Sequence, residues 1–257
     1  MNIDPAVYEV TPTPSTMNGN LPVPWGWGAV FKIVLLLLVG LIPLSALAGL
    51  LMWATGTLDA TRPPGMSSAP IFAVGMGIYL LIVLGVWLFA VRRANGDWQL
   101  VGIHSFANHW LWLLPVLLVV QLGGMAVLNV AVASAVSAGG GEFINPQIEA
   151  ITGGVTLGVR DLLLLMLLVA IVAPIAEELF FRGLLYPLLR RRGVPFALLS
   201  NALLFALIHF IPILIPGLFW IGLVLAWVRE RSGSIIPGII LHALQNGLVV
   251  WAIYAAL

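Results

Sequence analysis

The chain contains no cysteine, which excludes disulfides, thiol catalysis and thiolate metal sites. Charge is scarce as well. Only 8% of the 257 residues are Asp, Glu, Lys or Arg, whereas a soluble domain averages about 25%. The net charge is +1 and no basic run exceeds Arg190-Arg191-Arg192, so nothing points to nucleic acid as a partner. The first residues lack the basic start and small-residue cleavage site of a signal peptide. No internal repeat is visible, which leaves an inverted-repeat transporter without support. A serine nucleophile elbow, an aspartyl dyad and a His-Glu-x-x-His pair are all missing.

What the chain does have is apolar. It is 61% hydrophobic with a mean hydropathy of +1.09, the composition of an all-α, polytopic transmembrane helix bundle. Ten tryptophans fit a protein with two membrane interfaces. Hydropathy predicts seven spans, over about 28–53, 70–91, 110–135, 161–188, 196–211, 213–229 and 235–256. An eighth follows if the 142–158 segment also crosses. Residues 1–24, with five prolines, read as a flexible cytoplasmic tail. Residues 25–257 read as one transmembrane helical domain, with Trp25 and Trp27 as interface anchors. Lys32, Arg92, Arg93, Arg190, Arg191, Arg192, Arg229 and Arg231 fall on one side of this layout, and Arg62 and Arg160 on the other. That bias predicts a cytoplasmic N-terminus and an external Leu257, in a prokaryotic inner membrane.

Of the ten acidic residues, Glu177 and Glu178 alone are embedded in a strongly apolar run. An ionisable group at membrane depth costs about 2.5–3.5 kcal/mol on insertion scales, so it marks function by default. The competing reading is a structural ion pair. Glu178 and Arg182 are four residues apart and share a helix face. Glu177 is rotated by about 100° and is left to face a cavity. Two further polar groups interrupt later apolar helices, Phe205-x-x-x-His209 and His242-x-x-x-Asn246. A lone intramembrane histidine is more often a helix-to-helix hydrogen-bond partner, but three such groups in succession favour a site. Glu177 and His209 each lie about 20 Å from the turn at Arg190–Pro195 if both arms are helical, so they can meet at one depth. His104 and His109, near tryptophans, read as solvated interface residues.

The chemistry that fits is hydrolysis in a wet cavity. A carboxylate shielded from bulk water can serve as general base toward a water molecule. Amide and imidazole N–H groups can stabilise an oxyanion, worth about 3–4 kcal/mol at the transition state.

The ordered set Glu177-Glu178-x-x-x-Arg182, Phe205-x-x-x-His209 and His242-x-x-x-Asn246 resembles the CAAX protease and bacteriocin-processing family (CPBP, Abi) of intramembrane proteases, related to the Ras-converting CAAX endopeptidase. The resemblance covers about residues 160–250, the last four helices. It implies an intramembrane endopeptidase in which Glu177 and His209 activate water. His242 and Asn246 would hold the oxyanion, with Glu178, Arg182 and Phe205 in support. The implied substrate is a membrane-embedded or prenylated (lipidated) peptide. The resemblance favours a site with no cofactor; zinc on Glu177, His209 and His242 is the alternative. Rival readings are a non-enzymatic immunity or scaffold protein of the same fold, and a proton-coupled transporter using Glu177 and His209 as a relay.

Overall fold

Without water in the bilayer core, a chain this apolar must satisfy its backbone within helices. The computed structural model describes residues 23–54, 56, 65–143 and 145–256, and the described residues form no strand. The helices are α1 (Trp27–Ala54), α2 (Ala69–Ala94), α3 (His109–Ala138), α4 (Pro146–Thr152), α5 (Val159–Arg190), α6 (Val194–Leu207), α7 (Pro212–Ser232) and α8 (Ile236–Ala256). Most of the expected tail, the polar part of the first loop and Leu257 lie outside the described residues.

Among the described residues, six helices are long and apolar enough to cross a membrane: α1, α2, α3, α5, α7 and α8. The expected fifth span needs correction. α6 has 14 residues and reaches about 21 Å at 1.5 Å per residue, short of a bilayer core of about 30 Å. The chain turns back over Ile208–Ile211, where Phe210 takes a positive φ of 54°, and Pro212 starts α7. His209 therefore sits at an internal turn. The 142–158 segment yields only α4, seven residues long, and not an eighth span.

Hydrogen bonds show which connections share an end of the bundle. The Ile235 N–H donates to the Gly102 carbonyl at 2.9 Å, and Ser234 Oγ donates to the His104 carbonyl at 2.8 Å. Arg191 reaches the Trp25 carbonyl at 3.5 Å. The start of α1 and the α2–α3, α5–α6 and α7–α8 connections thus lie together, with Arg92, Arg93, Arg190, Arg191, Arg192, Arg229 and Arg231 in or next to them. At the opposite end the Met66 N–H donates to the Ala150 carbonyl at 3.1 Å, joining the approach to α2 with α4. Trp25 is not the expected interface anchor. It is 3% exposed, and its indole N–H donates to the Leu184 carbonyl at 3.1 Å, so it plugs the arginine end while Trp27 stays exposed.

α5 organises the rest, and two prolines shape it. The helix widens to i→i+5 bonding over Met166–Val172 and again over Leu179–Leu185. Each wide stretch ends one residue before the residue preceding a proline, Pro174 or Pro187. A proline ring clashes with the carbonyl four residues back and brings no N–H, and widening relieves the clash. The Ala173 N–H then bonds Leu168, so the Val169 carbonyl loses its usual donor and Pro174 cannot replace it. The same happens at Arg182, because the Tyr186 N–H bonds Phe181 and Pro187 follows. Side chains from other helices fill both vacancies. Asn246 Nδ2 donates to Val169 O at 2.9 Å and Arg229 Nε to Arg182 O at 3.2 Å. Buried carbonyls need such partners, so α7 and α8 are fastened to α5 at its two irregular turns.

α6 and α7 approach closely at Gly222. A Cβ there would stand 3.0 Å from Ala202 Cα and 3.1 Å from the Ala202 carbonyl oxygen, and backbone atoms cannot swing aside. Gly222→Ala is therefore expected to lower the detergent melting temperature, with a loss of about 1–3 kcal/mol from overpacking. An unchanged melting temperature would show that the two helices are free to separate.

Candidate active site

The irregular turns of α5 bracket the regular turn Ala173–Glu178, which holds both glutamates. Glu178 points into the protein. Its Oε1 accepts from Arg182 Nη1 at 2.9 Å, and both side chains are fully buried. Arg182 Nη2 donates to the Gly222 carbonyl at 3.0 Å, and the guanidinium lies over the Phe205 ring at 4.7 Å. An unpaired charge here would be strongly destabilising, so the pair, the α7 carbonyl and the aromatic face form one desolvated unit. The expected Glu178–Arg182 partnership is the geometry found.

Glu178 has a second neighbour that its spacing did not suggest. His242 Nδ1 lies 3.2 Å from the same Oε1. A carboxylate at that distance calls for a proton on Nδ1, which leaves Nε2 as the free ring nitrogen. Nε2 stands 3.8 Å from Glu177 Oε2. His242 therefore stands between the two glutamates, bonded to Glu178 and facing Glu177. Gly238 is what allows Glu178 to lie there, since a Cβ at that position would come within 3.1 Å of Glu178 Oε2.

Glu177, unlike Glu178, faces a cavity of about 470 Å³. Its other oxygen accepts from Tyr79 Oη at 3.2 Å. His209, His242, Asn246 and Phe205 line the same cavity. Glu177 and His209 form no direct ion pair. His209 Nδ1 lies 2.7 Å from the Phe205 carbonyl, a group freed because the His209 N–H bonds Ala206 instead at 3.3 Å. A carbonyl partner requires Nδ1–H, so the other ring nitrogen is the acceptor. The i,i+4 spacing of Phe205 and His209 thus acts through a backbone cap as well as ring contact, with centroids 5.0 Å apart. Asn246 uses one amide hydrogen on Val169, and the second remains for the cavity.

The cavity has walls that the three motifs did not announce. Tyr79 comes from α2 and is the one hydroxyl in that span. A single hydroxyl in an otherwise apolar span was the available signal. Gln245, one residue before Asn246, also lines the cavity and accepts from buried Gln121 Nε2 on α3 at 3.4 Å. His104 and His109 are absent from the lining. Among the described residues no group of three or more His, Cys, Asp or Glu is arranged to hold a metal ion. Glu177, His209 and His242 share the cavity, and each histidine spends Nδ1 on an oxygen acceptor and keeps Nε2 free. As they stand, these side chains do not present three ligands to one point.

Residues 159–248, about a third of the chain, match the family model described as "Rce1-like: Type II CAAX prenyl endopeptidase Rce1-like". No curated protein and no solved structure matches the chain. The matched segment runs from the start of α5 into α8 and holds Glu177, His209, His242, Gln245 and Asn246, while Tyr79, Asn129, Asn145 and Gln147 of the lining fall outside it. The stretch that builds most of this site is similar to the Rce1-like family of type II CAAX prenyl endopeptidases.

Proposed function

We propose that the protein is a multi-pass intramembrane endopeptidase that cleaves a membrane-associated or lipid-anchored polypeptide with a water activated by Glu177. One observation carries this reading. Glu177, His209, His242 and Asn246 line a single cavity, while the Glu178–Arg182 charges are sealed away from it. An ion pair alone would account for Glu178 and Arg182 but leaves Glu177 facing open space. The family of the matched segment consists of proteases, which favours this reading over a scaffold or a proton relay.

In the proposed reaction the water sits between Glu177 and the acceptor nitrogen of His209. Glu177 takes a proton as the water oxygen bonds to the scissile carbonyl carbon. The negative charge moves to the carbonyl oxygen, where the free amide hydrogen of Asn246 stabilises it. His242, between two carboxylates, contributes there once protonated, since only the imidazolium carries hydrogen on Nε2. The C–N bond then breaks, and the proton held by Glu177 or His209 passes to the leaving amine. Tyr79 and the Glu178–His242 contact fix the two partners of this geometry.

The site is further proposed to work without metal. Purified, active protein is expected to contain no stoichiometric zinc by elemental analysis and to keep cleaving after EDTA or phenanthroline. Stoichiometric zinc with chelator-sensitive cleavage would instead make Glu177, His209 and His242 ligands.

A further inference from the structure

The cavity is not placed symmetrically along the bundle. Its lining comes chiefly from α4, the start of α2 and α7, the later part of α3 and α6, and residues 168–177 of α5 and 242–250 of α8, so it extends from the end remote from the arginine-bearing turns to just past mid-helix at Glu177 and His242. No residue of the 92–108, 191–193 or 232–235 connections takes part. Between those connections and Glu177 the interior is filled. Arg182, Tyr186, Phe181, Phe205, Leu184 and Leu225 are among the largest fully buried side chains of the protein, and Trp25 closes the end below them. A polypeptide cannot reach Glu177 through that layer without unpacking it.

The opposite end is built differently. Its rim is α4, whose first turn is capped by Asn145 Oδ1 accepting the Gln147 N–H at 3.0 Å. Asn145 and Gln147 line the cavity, as do Asn129, Gln245 and Asn246 deeper in. Among the described residues, Glu177 is the sole acidic group in the lining, and no Lys or Arg is present. Carboxamides present a donor and an acceptor each, which matches peptide groups. With no counter-charge on the wall, a charged side chain would be desolvated without a partner.

The geometry points to substrate access from the membrane face opposite the arginine rim, past α4, by a neutral, extended stretch of polypeptide whose backbone is held by the amide wall. Under the positive-inside bias that face is extracytoplasmic. The occupant rests on the peptidase reading; the direction of access does not.

The absence of native cysteine gives a direct test. In the full chain carrying Glu177→Gln, single cysteines are placed at Met125 and Val249 in the cavity, at Gln147 on the α4 rim and at Arg191 on the arginine rim. A membrane-impermeant quaternary-ammonium methanethiosulfonate is applied to right-side-out cells and to inverted vesicles. Met125→Cys and Val249→Cys are expected to react from the face that labels Gln147→Cys, at least about tenfold faster than from the face that labels Arg191→Cys. Reaction from the Arg191 face, or from neither face in protein that remains monodisperse, overturns the proposed access. A capped neutral peptide is then compared with the same peptide bearing a central Asp or Lys. The neutral peptide is expected to slow Val249→Cys modification about tenfold and the charged ones to leave it unchanged. Equal protection by all three, or by none, overturns the proposed occupant. Labelling needs no turnover, so an inactive wild-type protein would sink the peptidase reading and leave the access result standing.

Discussion

Glu177→Gln is expected to abolish cleavage of a membrane-embedded reporter while leaving the detergent melting temperature near that of the wild type. The substitution keeps the volume of the side chain. It also keeps an oxygen to accept from Tyr79, which now bonds Oε1 at 3.2 Å. What it removes is the proton acceptor that faces the cavity. General-base catalysis is typically worth about 10²–10⁴-fold, so the residual rate should fall by at least that range. The melting temperature separates chemistry from folding, because Glu177 is outside the buried Glu178–Arg182 unit. If Glu177→Gln still cuts and a stably folded Glu178→Gln does not, the two carboxylates have been assigned the wrong way round.

The helical bundle was legible from hydropathy, because a run that must satisfy its own backbone in lipid has few alternatives. The different placement of the two glutamates was legible too, since i,i+4 geometry puts Glu178 on Arg182 and turns Glu177 away, as found. Two things were not. Span counting assumed that every apolar run crosses, whereas α6 stops at Leu207 and places His209 at a turn on the cavity wall. The turn depends on Pro212 and a positive φ at Phe210, neither of which a hydropathy window registers. The partners of the histidines were also hidden. His242 meets Glu178 across helices, and Asn246 meets a carbonyl freed because α5 widens ahead of Pro174. A regular 3.6-residue helix leaves no carbonyl free for Asn246. Tyr79 approaches from α2, whose closeness to α5 is a matter of tertiary packing and leaves no local pattern.

The second large effect is expected at the buried charges. Glu178→Gln strands the Arg182 guanidinium, whose Nε already has no partner, in a fully desolvated position. Removing one member of a buried pair typically destabilises by about 3–5 kcal/mol, so Glu178→Gln should lower the melting temperature and the yield of folded protein. Arg182→Gln should do the same, leaving a buried carboxylate unneutralised and the Gly222 carbonyl without its donor. Glu178→Gln carries an added penalty on turnover, because the same oxygen holds His242 at 3.2 Å. Its cleavage rate, measured on the folded fraction, should therefore fall below that of Arg182→Gln at an equal melting temperature. The double variant replaces both charges with neutral amides. It is expected to lose less stability than the sum of the single losses, since no uncompensated charge remains. The measurement is a double-mutant cycle on detergent melting, run beside the reporter assay for each variant. Strictly additive losses would mean that the two side chains do not depend on each other, and the sealed ion pair beneath the cavity would have to be abandoned.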